Sequence, residues 1–379
     1  MHLPPHRLRS IVGALLAAAL LVPLAGCADR SAGGAVGLRQ TLDDWRQRAG
    51  APAAVLAVDS PRLTWTGSSG TLRPGGGRPV DAHDPFRVAS ITKLFVATVV
   101  LQLVAEGRLR LDDPLGDYLP DFPDAGRITV RRLLDHTSGV PDYTQVEGWG
   151  AGLLEDRDRT WTPGEIVAVA ARREPEFAPG TDYAYSNTDY VLLGEVIRVA
   201  TGASWSEQVR TRILEPLGLR DTYVAGTGGA EHEPPVIPGF FDVDDDGDQE
   251  NVETGGPWPA QDTSEGAAGA LVSTAADLVA FGDALFRGRL LDDASLATMT
   301  SPGPHHSRTS NYGLGLEIQR RDYRTTTWGH GGFLPGFRST LRYLPDADLL
   351  VVALVNDSRA DADDLAELAY RGVVASDRP

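Results

Sequence analysis

A single lysine, Lys93, stands among 34 arginines in this 379-residue chain. There is also a single cysteine, Cys27, so no internal disulfide can form and no cysteine cluster exists for zinc or thiol redox chemistry. Neither a G-x-S-x-G elbow nor an H-E-x-x-H pair occurs, which removes the α/β-hydrolase nucleophile turn and the common zinc-hydrolase signature. The leading apolar run, Ile11 to Leu24, falls short of the roughly 20 residues a membrane-spanning helix needs. Basic stripes are absent too. With a net charge of −17 and a pI near 4.8, the chain repels phosphate backbones, so no nucleic acid is expected as a partner.

What is present is globular in character. Hydrophobic residues make up 42% and charged residues 23% of the chain, enough for one large domain or two intergrown subdomains. The first 26 residues read as a leader: a basic start (His6, Arg7, Arg9), the apolar run, then Leu24-Ala25-Gly26-Cys27. That tetrapeptide resembles a bacterial lipobox, in which small residues precede a cysteine that carries lipid; plain secretory cleavage nearby is the alternative. Lipidation at Cys27 implies an extracytoplasmic protein anchored to the bacterial membrane, with residues 27–40 as a tether (Ser31 to Gly37 small and flexible) and residues 41–379 as the folded domain.

The patterning predicts a short helix over Thr41–Ala49 and strands over Ala53–Val58 and Leu63–Gly67. From Lys93 to Glu106 the chain is apolar nearly all round, as a helix buried on every face must be. Helical patterns at Val130–Leu134, Pro163–Arg173, Asp189–Thr201, Trp205–Ile213 and Ala275–Phe286 fill the middle. Strand patterns return at Tyr312–Arg320, Tyr323–His330, Phe337–Tyr343 and Leu349–Asn356, before a closing helix over Ala360–Arg371. The expected class is α+β: one antiparallel sheet built from both chain ends around a mostly helical insertion.

Ser90 stands three residues before Lys93, in Ser90-Ile91-Thr92-Lys93. On a helix such residues share a face, roughly 5–6 Å apart at Cβ, close enough for an amine to take a hydroxyl proton. An arginine could not do this, because a guanidinium stays charged, whereas a buried ammonium can lose its proton. The alternative is an ordinary surface lysine beside an ordinary serine. The helix dipole at the start of this greasy helix would also favour negative charge developing at Ser90.

Ser90-Ile91-Thr92-Lys93, then Tyr185-Ser186-Asn187, then His330-Gly331-Gly332 resemble the S-x-x-K, Y-x-N and K/H-[TS]-G motifs of penicillin-recognising serine hydrolases, the class C β-lactamases and D-Ala-D-Ala carboxypeptidases. Separations of 95 and 145 residues fit, as do Leu133 to Gly139, Pro179-Gly180 and Tyr312-Gly313-Leu314-Gly315. The resemblance spans about residues 41–370 and implies a β-lactamase/transpeptidase-like fold and an acyl-enzyme on Ser90. It implies Lys93 or Tyr185 as the base, the choice being open, and no cofactor. Asn187 would orient Lys93 and contact a substrate amide, while the N–H groups of Ser90 and Phe333 would hold the oxyanion. Gly331 and Gly332 would let an edge strand approach the substrate closely, with His330 beside them. His136 is expected to brace its loop.

One position departs from the motif. Gly331 stands where a Thr or Ser hydroxyl usually receives the substrate carboxylate, which makes an esterase or amidase more plausible. The leading expectation is a D-alanyl-D-alanine carboxypeptidase-like enzyme acting on peptidoglycan stem peptides. An esterase or β-lactamase on the same site, or a non-catalytic penicillin-binding sensor, are the alternatives. A second pattern, Asp242, Asp244, Asp246 and Asp248 with Gly247 and Glu253, matches a calcium loop, against a solvated hairpin turn at Asp246-Gly247.

Overall fold

The computed structural model describes residues 25–227, 234–244, 246–253, 258–304, 310–320 and 325–376. The leader up to residue 24 and the side chain of Cys27 lie outside the described residues. Among those described, no helix is long and apolar enough to cross a membrane.

Eight antiparallel strands form the main sheet, in the order Gly76–Pro79, Thr64–Arg73, Ala53–Asp59, Leu349–Val355, Phe337–Leu344, Thr327–Leu334, Glu317–Gln319, Ser310–Tyr312. The two chain ends meet at its centre, where Ala54 pairs with Val355 and Asp59 with Leu350. Leu349–Val355 is buried throughout and Ala53–Asp59 up to Val58, so both read as continuous apolar runs rather than alternating ones. One face carries the N-terminal and closing helices, Ala25–Ala49 and Ala362–Ser376, packed through Leu42, Trp45, Leu365 and Ala369. The other face carries the helical insertion, whose core includes the helix Thr92–Ala105. Eleven of that helix's fourteen residues are buried, Phe95 stacking on Phe281 with ring centroids 3.6 Å apart. Each fully buried Leu, Val or Phe side chain contributes about 1.5–3 kcal/mol, so the element opening at Ser90 is among the most firmly held.

Three expectations need correction. The N-terminal helix begins at Ala25 rather than Thr41 and runs through Ser31–Gly37, where a tether was expected. Leu38, Leu42 and Trp45, one helical stripe, dock it against the sheet and favour its continuation backwards. Tyr312–Arg320 is not one strand. The chain turns over Gly313–Leu316, because Gly315, at φ +83°, lies so close to the Ser90 helix that a Cβ there would sit 2.3 Å from Ala97 Cβ. The strand expected over Tyr323–His330 is instead Thr327–Leu334, carrying all of His330, Gly331, Gly332 and Phe333 in one extended edge, while residues 321–324 lie outside the described residues.

Candidate active site

Ser90 lies on the tight turn Ala89–Ile91 that leads into the buried helix. Ala89, immediately before it, holds φ at +49°, a left-handed conformation costly for a residue with a Cβ. The next turn brings Lys93 underneath. Its Nζ, with the side chain fully buried, lies 3.0 Å from Ser90 Oγ, 2.8 Å from Asn187 Oδ1 and 2.8 Å from Ala268 O.

The identity of these partners matters. A backbone carbonyl can only accept, and the Asn187 oxygen is fixed towards Lys93 because its Nδ2 donates to Asp142 Oδ2 at 3.0 Å. A neutral amine therefore spends its two N–H bonds on Ala268 and Asn187, leaving its lone pair directed at the Ser90 hydroxyl. Burial lowers the Lys93 pKa from 10.5 to about 7, against the opposing pull of Glu265, Asp142, Asp189 and Glu317. The amine is thus available at neutral pH.

Tyr185 donates its hydroxyl to Ser90 Oγ at 2.9 Å. Burial raises its pKa well above the ordinary 10, so it stays a neutral phenol. The lysine lies over its ring, 4.9 Å from the centroid. Of the two base candidates, the geometry and charge state favour Lys93, with Tyr185 as a proton donor. The turn carrying Tyr185 and Asn187 is held from behind by His136, whose Nδ1 lies 2.9 Å from Asp189 Oδ2 and 3.3 Å from the Ser186 N–H.

The third motif flanks Ser90 from the sheet. Thr327–Leu334 pairs with Phe337–Leu344 along Trp328–Leu334 but with Glu317–Gln319 only along Thr327–Gly329, leaving the edge from His330 onward open. Gly332 lets that edge approach: a Cβ there would lie 2.2 Å from Ser339 Oγ and 2.4 Å from Val88 O, beside the Ser90 turn. His330 is buried, its Nε2 2.9 Å from Tyr312 Oη and its Nδ1 2.5 Å from Gly331 O. Burial lowers its pKa to about 4, so at neutral pH it is not a cation. Gly331 lies on the cleft wall, where a Cβ would stand 3.5 Å from Arg342 Nη2 and Asp363 Oδ2; that Nη2 pairs with Glu317 and Asp363. Phe333 is half exposed, with the Arg338 guanidinium 4.2 Å above its ring.

Ser90, Tyr185, Asn187, His330, Gly331, Gly332 and Phe333 line one cleft of about 810 Å³. Among the lining residues that escaped the sequence reading are Asp142, Glu265, Glu317, Arg338, Asp361 and Asp363. Glu265 stood out only as a lone carboxylate in the small-residue run Ser264 to Ala270. Nothing local marked Asp142.

The acidic segment forms a hairpin, Phe240–Phe241 pairing with Glu250–Asn251, and its Phe241 and Val243 line the same cleft as Ser90. Asp242, Asp244 and Asp246 offer oxygens within 4.8 Å of one another, but Asp242 already accepts the N–H groups of Asp246 and Gly247, and Asp246 that of Asp248. Glu253 does not belong to this group. Its carboxylate pairs with buried Arg87 at 2.7 Å, which removes the twelfth-position ligand of the calcium pattern.

Known proteins resemble this chain in sequence and fold. The chain is 30% identical over 350 residues to a penicillin-binding protein 4 of Amycolatopsis lactamdurans, covering 84% of each. Its fold matches a D-stereospecific amidohydrolase from Streptomyces sp. at TM-score 0.78 and 37% identity, over 89% of this chain and 99% of that one. A D-amino acid amidase from Ochrobactrum anthropi SV3 matches at TM-score 0.80 and 30% identity, over 91% and 100%. Residues 38–375 fit the family model described as Beta-lactamase, and the chain belongs to that family of serine hydrolases, with the β-lactamase/transpeptidase-like fold.

Proposed function

We propose that Ser90 forms an acyl-enzyme with small amides, peptides or esters of D-amino acids that present a free amine near the scissile bond. The carrying observation is the charge of the cleft. The carboxyl groups of Asp142, Glu317, Asp361 and Asp363 line it against one lining cation, Arg338; His330 is neutral, and Arg342 behind it offsets only one of its two partners, Glu317 and Asp363. Such a wall attracts an ammonium and repels a carboxylate. Gly331 supports the same reading, since it offers no hydroxyl to a terminal carboxylate. The D-configuration rests on the amidohydrolase and amidase named above.

Acyl transfer follows from the hydrogen-bond chain. Lys93 takes the Ser90 proton as Oγ attacks the carbonyl carbon, and the oxyanion lies between the N–H groups of Ser90 and Phe333. Tyr185 then passes a proton to the leaving amine and is replenished from Lys93.

A second reading, release of a terminal D-Ala from a stem peptide, draws on Arg338. This guanidinium lines the cleft with only Ser358 O as its hydrogen-bond partner and has no carboxylate partner among the described residues. Comparing kcat/KM for a D-amino-acid amide with that for an N-acylated D-Ala-D-Ala peptide decides between them. The amide should win by at least about tenfold, which is about 1.4 kcal/mol of barrier. The reverse order, lost in Arg338→Gln, would refute the amine reading in favour of the carboxypeptidase.

A further inference from the structure

An acyl-enzyme must also be hydrolysed, and that step needs a water and something to take its proton. Glu265 is placed for this. It lies in the helical segment Pro259–Gly269, and the backbone bends at the next residue, Gly266, where φ and ψ are +45° and −134°. The Glu265 side chain lies beside Gly269, where a Cβ would meet Oε2 at 2.6 Å. Gly269 follows directly on Ala268, whose carbonyl receives Lys93. One oxygen, Oε1, is oriented by Gln261 Nε2 at 2.8 Å, while Oε2 accepts no hydrogen bond from any described residue. The side chain is 9% exposed, and what exposure it has is to the cleft that holds Ser90 and Tyr185.

A buried carboxylate with one oxygen fixed by an amide and the other open to the reaction cleft is the arrangement a general base for water requires. Burial raises its pKa from 4.5 to about 7, and Lys93 is the strongest opposing influence. Each of the two is therefore the other's main charged neighbour, and near neutral pH they compete for one proton.

We propose that Glu265 is the general base that activates the deacylating water, and that it shares a single proton with Lys93 through the cycle. The proposal rests on the acyl-enzyme reading above and specifies its second half. During acylation the shared proton is on Glu265 and the neutral amine of Lys93 takes the proton of Ser90, which leaves with the amine or alcohol product. The shared proton then moves to Lys93, leaving an ammonium and a carboxylate. Water attacks the acyl carbon as Glu265 takes one of its protons, forming the C–O bond of the tetrahedral intermediate. The C–Oγ bond breaks, Ser90 Oγ keeps the electron pair, and the Lys93 ammonium protonates it. The product leaves as the acid, and the enzyme is back with the proton on Glu265 and a neutral Lys93.

Glu265→Gln keeps the shape and the Gln261 neighbour but cannot take a proton. With a p-nitrophenyl ester of a D-amino acid, the variant should release a stoichiometric burst of nitrophenol and then turn over at least about 100-fold more slowly than the parent, the usual range for one acid–base group. Intact-protein mass spectrometry should find Ser90 acylated in the variant and free in the parent. Added hydroxylamine, a nucleophile that needs no base, should rescue turnover. In the unmodified enzyme, single-turnover deacylation should rise with pH as Glu265 ionises and fall again as Lys93 loses its proton, a bell centred near 7. A variant that deacylates within about threefold of the parent, or slows without accumulating acyl-enzyme, overturns the assignment. The latter result would mean that Glu265 only adjusts Lys93. If the parent itself never acylates at Ser90, the acyl-enzyme reading falls, and this inference with it.

Discussion

Replacing Lys93 by Arg isolates the one property that the site asks of its amine. At pH 7 an ordinary lysine, with a pKa near 10.5, is neutral in about one molecule in 3000. At about 7 it is neutral in about one of two. The buried site thus raises the reactive fraction about 1500-fold, equivalent to about 4 kcal/mol of barrier at 1.36 kcal/mol per decade. A guanidinium keeps the positive charge and never becomes a base. Lys93→Arg should lose about that factor in kcat/KM for a nitrophenyl ester, and Lys93→Met, which has neither charge nor base, should fall to the same floor. The parent should lose activity roughly tenfold per pH unit below about 7, because protonation of Lys93 removes the acceptor of the Ser90 proton. Retention of more than about a tenth of activity by Lys93→Arg would show that charge alone suffices. A parent profile flat from pH 5 to 7 would refute the neutral-amine argument outright.

Gly332→Ala tests the approach of the open edge to the nucleophile. Its Cβ would come within 2.2 Å of Ser339 Oγ and 2.4 Å of Val88 O, so the strand must retreat from the Ser90 turn. A displacement of about 1 Å can cost about 100-fold in rate, which ester kinetics would show, and an unchanged kcat would refute the placement of the oxyanion donor. Arg87→Met removes the partner of both Glu253 and Asp262, whose side chains are only 10% and 7% exposed. Uncompensated buried charge should cost about 3–5 kcal/mol, read as a fall in urea midpoint, and a loss below 1 kcal/mol would contradict the burial.

The leading sequence expectations for the site were local, and the structure brings Ser90, Lys93, Tyr185 and Asn187 together. Ser90 and Lys93 meet because three residues make most of a helical turn, and Tyr185 and Asn187 meet the pair from one turn before and at the start of the next helix. Periodicity marked the buried helix and both central strands for the same reason, since each is a contiguous apolar run. Where the reading failed, the deciding contact was distant in sequence. Gly315 breaks a strand because of Ala97, and Glu253 abandons an acidic loop for Arg87.

The residue types alone settled that a hydroxyl stands three residues before the chain's one lysine, and that no pair of cysteines accompanies them. Only the folded arrangement decided that the cation is stripped of water, that Asp142 orients the amide beside it, and that Glu265 lies on the same cleft wall. The reason is electrostatic. A side chain's type specifies which protons it can hold, but its affinity for them depends on the burial and the neighbouring charges that segments far apart in the chain bring together.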